Sequence, residues 1–390
     1  MHESRLKWLL TGAMLNSIGT SFIWPLTTIY MHNALGKSLT EVGVILLMYS
    51  IANVIGSYIS GRLFDQLNPQ LLTLLGVGVS GLAMATLIFL HGWPAYPIGL
   101  VAIGFGTGWI ITQVNSLGTT IHSKDGRYVF NMLYFMQNLG VVFGTSLVGF
   151  VYDISMSLLF VITTVLYVLL FIVVAVYYKV PALAKRRKPD GAKQLVRLPK
   201  ANNWVIYTFF FTLVIIWIMY EQWVSNLSVY MTGMGIPMRN YSLLWTLNAG
   251  LIVIFQLILN RLAHYMKNIY IQVYAGIFFV AISFVTLMFA HDYMHFILAM
   301  VILTMGEATA FPAMPAIINE LTPVAVKGKY QGLLNSWASF GKAIGPLFGG
   351  LVIEGLSYSW LFLIAAIANF GLLILNLIIV HLKRNETEVY

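Results

Sequence analysis

The chain contains no cysteine in its 390 residues, which excludes disulfide staples, thiol nucleophiles and thiolate-bound metals. Charge is almost as scarce. Only 9% of the residues are Asp, Glu, Lys or Arg, against roughly a quarter in a soluble domain. Hydrophobic residues make up 59%, and mean hydropathy is +0.82. This composition excludes a soluble globular domain and describes an integral membrane protein. There is no GxxxxGK[ST] run to hold ATP and no HExxH, and all eight histidines (2, 32, 91, 122, 264, 291, 295 and 381) fall at or beyond the ends of apolar runs. A nucleotide-driven pump and an intramembrane enzyme therefore both lack their chemistry, and no metal site or cofactor is expected. The formal charge of +9 does not point to nucleic acid, because the basic residues occupy short gaps between apolar runs and form no stripe.

Apolar runs long enough to cross ~30 Å of hydrocarbon lie at about 6 to 31, 39 to 61, 70 to 90, 95 to 121, 128 to 153 and 156 to 178. A second set lies at about 204 to 231, 240 to 262, 270 to 290, 293 to 319, 329 to 354 and 357 to 382. Twelve spans in two sets of six are thus expected, with the first run too long for a signal-peptide core and retained as a span. Placing both termini in the cytoplasm leaves 19 Lys and Arg inside and only Lys37 and Arg239 outside, with Lys342 within a span. That asymmetry fixes the orientation.

The one long polar segment, 179 to 203, is rich in Lys and Arg and falls at mid-chain. It reads as a cytoplasmic linker between an N-terminal bundle (1 to 178) and a C-terminal bundle (204 to 390). A tether obeying the positive-inside rule explains it, and contact with anionic lipid head groups is the alternative. An internal repeat supports the division. A shift of 201 places Gly140, Gly144, Gly149 and Asp153 on Gly341, Gly345, Gly350 and Glu354, and a shift of 199 places 61 to 68 on 260 to 267. Similar halves imply a site at mid-depth where they meet.

Short motifs carry a family resemblance. Gly56 and Gly61 end the second span, and Gly61-Arg62-Leu63-Phe64-Asp65-Gln66-Leu67-Asn68-Pro69 combines close-packing glycines, a base and an acid at the cytoplasmic boundary, and turn formers. This run resembles the G-x-L-x-D-R-x-G-R-K signature of the major facilitator superfamily, with Gln66 and Asn68 where the family has Arg and Gly. Gly341-Lys342-Ala343-Ile344-Gly345-Pro346-Leu347-Phe348-Gly349-Gly350 resembles the antiporter signature G-x-x-x-G-P-x-x-G-G, though in span 11 where the family carries it in span 5. Its small residues permit tight packing and its proline removes a backbone bond, which suits a bendable contact or plain packing.

Arg127-Tyr128-Val129-Phe130, Tyr134 to Leu139, and Gly306-Glu307-Ala308-Thr309-Ala310-Phe311-Pro312 are similar to LmrP-type drug:proton antiporters. Two features depart from that type: span 4 lacks the family's Arg, and Leu133 stands where it has an intramembrane Asp. The resemblance implies an all-α major facilitator fold with two pseudo-symmetric six-helix bundles, and a monomer in the cell membrane. It also implies a cavity lined by spans 1, 4, 7 and 10.

The residues fit such a cavity. Asn16, Thr20 and Thr27 share a face of span 1, and Trp109, Gln113 and Ser116 share one of span 4. Tyr134 and Asn138 add polar groups on span 5. Trp217, Tyr220, Gln222 and Trp223 surround Glu221 in span 7, and Thr304 and Phe311 flank Glu307 in span 10. Aromatic rings beside a carboxylate hold an amphipathic cation, although such rings also serve as lipid-facing or packing residues.

Glu221, Glu307 and Lys342 are the charges buried deepest in apolar runs. Each costs at least ~2.5 to 3.5 kcal/mol at a bilayer centre, so each should face water or a partner. Because desolvation penalises the charged form, such carboxylates can exchange protons; Lys342 should pair with one of them, Glu307 being nearer in sequence. Arg62, Asp65 and Arg127 would latch cytoplasmic ends, with Gly341, Gly345 and Pro346 as a hinge. The expected function is proton-coupled antiport, driven by the proton gradient and exporting hydrophobic or cationic small molecules. The alternative is proton-coupled transport of one metabolite, such as a sugar, peptide, siderophore or lipid-linked compound.

Overall fold

Helix starts follow the polar residues that separate the apolar runs. The Asn68 side chain accepts the Gln70 N–H at 2.9 Å with Pro69 in the first helical position, and Asn268 accepts the Tyr270 N–H at 3.1 Å. Ser155 and Asp292 cap two further helices in the same way. Each side chain satisfies a backbone donor that the first helical turn leaves free. Gly36 and Gly235 take φ of 65° and 80°, the left-handed conformation that glycine reaches without steric cost, in the turns after Ala34 and Gly233.

The computed structural model describes residues 2–21, 23–64, 67–118, 120–121, 126–152, 154–178, 198–262, 268–323 and 327–390. Most of these residues are helical, with no strand among them. The helices are α1 His2–Thr20, α2 Ile23–Ile29, α3 Leu39–Phe64, α4 Pro69–Phe89, α5 Ala95–Gly118, α6 Gly126–Val151 and α7 Met156–Tyr177. They continue as α8 Lys200–Glu221, α9 Leu227–Gly233, α10 Met238–Leu262, α11 Ile269–Met288, α12 Tyr293–Glu320, α13 Lys327–Gly355 and α14 Tyr358–Lys383. A π-helical turn, Gln222–Asn226, joins α8 and α9 into one rod, Lys200–Gly233.

Among the described residues eight helices are long and apolar enough to cross a membrane: α3, α4, α5, α7, the α8–α9 rod, α11, α12 and α14. Helical rods outnumber the twelve expected spans by one, because the span expected at 6 to 31 is divided between α1 and α2. The sequence supplies a reason in Pro25, since a proline has no N–H to give to a carbonyl four residues earlier. Most of the expected linker, 179 to 197, lies outside the described residues, as does Asp65.

Two compact units form. One contains α1 to α7 with Met231–Thr246, and the other contains α8 through Tyr230 with Leu247–Tyr390. In the first, α5 runs against α3, where a Cβ on Gly104, Gly108 or Gly56 would strike the backbone of Tyr49, Asn53 or Phe105. Gly61 meets only the Thr112 methyl at 3.5 Å, an ordinary contact, so the close approach expected of the pair rests on Gly56. In the second unit Phe209, Phe210 and Ile216 of α8 pack with Ile277 of α11 and Met314 and Ile317 of α12 in a buried cluster. The chain after α14 then folds back: the buried Asn202 donates through Nδ2 to the carbonyls of Leu321 (2.9 Å) and Glu388 (2.8 Å) and accepts the Glu388 N–H at 3.0 Å. A further bond, from the Tyr390 N–H to the Glu320 carbonyl at 2.8 Å, completes this strap.

Candidate binding and proton-exchange site

The glycines of α13 decide where its lysine goes. Gly341 lies against the Val214 carbonyl and Trp217, Gly345 against the Ile218 carbonyl and the Glu221 side chain, and Gly349 against Gln222 and Asn226. A glycine every four residues forms one flat stripe along a helix, and here α8 lies on that stripe. Pro346 interrupts the backbone ladder without ending the helix, and the Gly345 carbonyl accepts a bond at 2.8 Å from Gln222 Nε2. The expected hinge motif is therefore the contact surface between α13 and α8.

Lys342, next to the first of these glycines, stands over the ring of Trp217, its Nζ 3.7 Å from the centroid. Trp217, Tyr220 and Phe311 form one aromatic cluster, with centroids 5.0 Å apart for Trp217–Tyr220, 4.8 Å for Trp217–Phe311 and 5.7 Å for Tyr220–Phe311. Helix spacing explains it: Trp217 and Tyr220 are one turn apart on α8, and Phe311 lies one turn beyond Glu307 on α12. Cation and ring face attract through the ring quadrupole, more strongly where water is excluded.

Both expected acids join this cluster. Glu307 Oε2 accepts from the Tyr220 hydroxyl and from Asn248 Nδ2, each at 2.9 Å, and Asn248 also donates to Thr304 Oγ1 at 2.9 Å. Glu221 is 5% exposed, and its Oε2 has no hydrogen-bond partner among the described residues. Both carboxylates act electrostatically on Lys342. Neither forms an ion pair with it within 4.0 Å, so the expected Lys342–Glu307 pairing gives way to a ring contact. Asn248 was absent from the expected residues; it is one of four amides, with Asn240, Gln256 and Asn260, in the run 240 to 262.

Other expected site residues go elsewhere. Trp223 is fully buried and packs on Phe284 of α11 at 6.3 Å. Trp109 donates to the Leu72 carbonyl at 2.8 Å, and Gln113 donates to the Ser60 carbonyl and hydroxyl at 3.1 and 2.8 Å. The polar face of α5 thus bonds α3 and α4 instead of lining a cavity. Periodicity shows that polar residues share a face; it does not show what that face meets. Asn16 accepts from the Tyr167 hydroxyl at 3.4 Å, Thr20 donates to the Asn16 carbonyl at 2.9 Å, and Thr27 shares a bond with the Tyr96 hydroxyl at 3.0 Å. Asn138 is partly buried on α6, and the side chains of Tyr134 and Arg127 lie outside the described part. Arg62 stacks on Tyr58, 4.4 Å from the ring centroid.

The profile of the Major Facilitator Superfamily matches residues 9–306 and 273–389. An uncharacterized MFS-type transporter of Bacillus subtilis, YttB, is 35% identical over 90% of this chain and 88% of its own length. The class D tetracycline resistance protein of Salmonella ordonez is 24% identical over 88% of each chain, and the quinolone resistance protein NorA of Staphylococcus aureus is 23% identical over 86% and 87%. Among solved structures, a POT family transporter superposes with a TM-score of 0.82 at 14% identity over 97% of this chain and 96% of the other. The nucleoside transporter NupG superposes with 0.80 at 14% over 96% and 99%.

Proposed function

This chain belongs to the Major Facilitator Superfamily and is a multi-pass membrane transporter, and from that premise we propose that it exports hydrophobic or cationic small molecules in exchange for protons. The observation that carries this reading is the cluster of Trp217, Tyr220 and Phe311 with Glu221, Glu307 and Lys342. Rings and carboxylates together suit an amphipathic cation. Similarity to proteins named for tetracycline and quinolone resistance supports efflux of drug-like molecules.

In this reading α1 and α2 make one crossing, so the chain crosses twelve times in two bundles with both termini in the cytoplasm, as its basic residues favour. A cation binds while a carboxylate is ionised, and a proton discharges that carboxylate after release. Neither state then leaves an uncompensated buried charge. Alternating access moves the site between the two membrane faces, with the glycine stripe of α13 as its bending contact.

The test is transport in proteoliposomes against an imposed pH gradient, comparing wild type with Glu221→Gln and Glu307→Gln. Loss of gradient-driven flux in at least one variant is expected, and full activity in both removes the proposal. Expression should also protect cells against several unrelated toxic cations; protection against none, with uptake of a single metabolite, would favour a specific carrier.

A further inference from the structure

A lysine close to two acids usually pairs with one of them, because leaving any of the three charges uncompensated is costly. Lys342 does not. Its ammonium lies 3.7 Å from the Trp217 centroid, while the Glu221 carboxyl, 5% exposed, keeps Oε2 without a hydrogen-bond partner among the described residues. Glu307 differs, since Tyr220 and Asn248 both donate to it. Trp217 and Glu221 lie one turn apart on α8, against Gly341 and Gly345 of α13, and Lys342 projects from the same helix between those glycines. A four-carbon stem on rotatable bonds can serve either neighbour.

We propose that Lys342 is a tethered substitute for the transported cation. This rests on the reading of the cluster as a cation site. A monovalent organic cation entering the cluster takes over the face of Trp217, and the displaced ammonium moves to Glu221. There the O–H bond of the Glu221 carboxylic acid breaks, its electron pair stays on the carboxylate that now pairs with Lys342, and the proton passes to water. One positive charge enters and one leaves, so the net charge of the cluster is unchanged. Lys342 of α13 is the charged group that acts on Glu221; Lys342, Tyr220 and Asn248 act on Glu307. The acid that exchanges the proton is the one with an unpartnered oxygen. The ligand class follows: organic cations whose aromatic or apolar surface can pack on an indole, and no neutral analogue of the same shape.

The test is calorimetric titration of the purified full-length protein with tetraphenylphosphonium, in buffers of differing ionisation enthalpy and at stepped pH. Wild type should release about one proton per cation bound over part of the pH range. Glu221→Gln should bind without release. Lys342→Met, which removes the internal competitor, should bind roughly tenfold tighter and release far less. Wild-type binding with no proton release at any pH overturns the proposal without needing any variant, as does weaker binding by a Lys342→Met protein that elutes and melts like wild type. Release that persists in Glu221→Gln overturns this assignment while leaving proton-coupled export standing. Absence of any tetraphenylphosphonium binding removes both readings.

Discussion

The two units use one scaffold with opposite chemistry. At an offset of 200 residues the carbonyls of Met14 and Val214 and those of Ile18 and Ile218 receive close-packed glycines, Gly140 and Gly144 of α6 in one unit, Gly341 and Gly345 of α13 in the other. Gly106 of α5 meets Gly76 and Ser80 as Gly306 of α12 meets Gly276 and Val280. The charges buried within the helices do not repeat. Ser21 stands at the place of Glu221, Thr107 at that of Glu307, and Val141 beside Gly140 where Lys342 stands beside Gly341. Packing is therefore a property of the repeat, and ionisable chemistry was placed on one copy of it. The difference separates what holds the bundles together from what the second bundle does.

Moving a charge across the repeat should have the largest effect. Ser21→Glu gives the first unit a carboxylate with no cation beside it and is expected to destabilise the protein by about 3 kcal/mol. Adding Val141→Lys should recover part of that loss, as read by thermal melting in detergent. No rescue would show that the repeat does not bring these two positions together as it does Glu221 and Lys342. Next come the glycines that the units share. Gly144→Val and Gly345→Val should each cost about 2 kcal/mol, by similar amounts, because each Cβ would strike the neighbouring helix. A loss in one alone breaks the equivalence.

A smaller effect is expected within the second unit. Tyr220→Phe deletes one of two donors to Glu307, and a hydrogen bond to a charged group is worth about 1.5 kcal/mol or more, so transport should slow about tenfold with folding unchanged. The smallest lies at the start of α12, where Asp292 caps the helix while Gly92 holds the corresponding place before α5. The His295 backbone N–H, then its ring, hold the Asp292 carboxyl below the usual range. A lowered carboxyl stabilises the fold above its unfolded value and stops doing so as pH falls through its folded one. Melting of wild type should therefore decline slightly more in acid than that of Asp292→Asn, near the resolution of the measurement.

What the sequence made legible has a physical logic. Glycine stripes and buried charges are rare against an apolar background, so Gly140, Gly144, Gly341, Gly345, Glu221, Glu307 and Lys342 stood out before any coordinates. Phe311, one turn from Glu307, followed from helical spacing, whereas Tyr220, expected around Glu221, donates to Glu307 across helices. Hidden from that reading was direction: the polar faces carrying Trp109 and Gln113 bond to neighbouring helices, and Trp223 turns to α11. Asn248 escaped because its run holds several amides and nothing in the sequence says which of them bonds across helices. The division of the first span was not expected: Pro25 lies near it, but prolines at 312, 315 and 346 sit inside unbroken helices, so proline alone does not distinguish a break.

The stripe of Gly341, Gly345 and Gly349 also bears on how this sequence can drift. A Cβ on Gly341 or Gly345 would strike α8 itself, while one on Gly349 would meet the ends of the Gln222 and Asn226 side chains, so substitution at the first two should be selected against whatever the protein carries. Among relatives that share the fold, those two glycines should stay fixed as the position of Lys342 varies with cargo. Change in selectivity would then be written in the letters between the glycines, on a helix whose spacing cannot evolve.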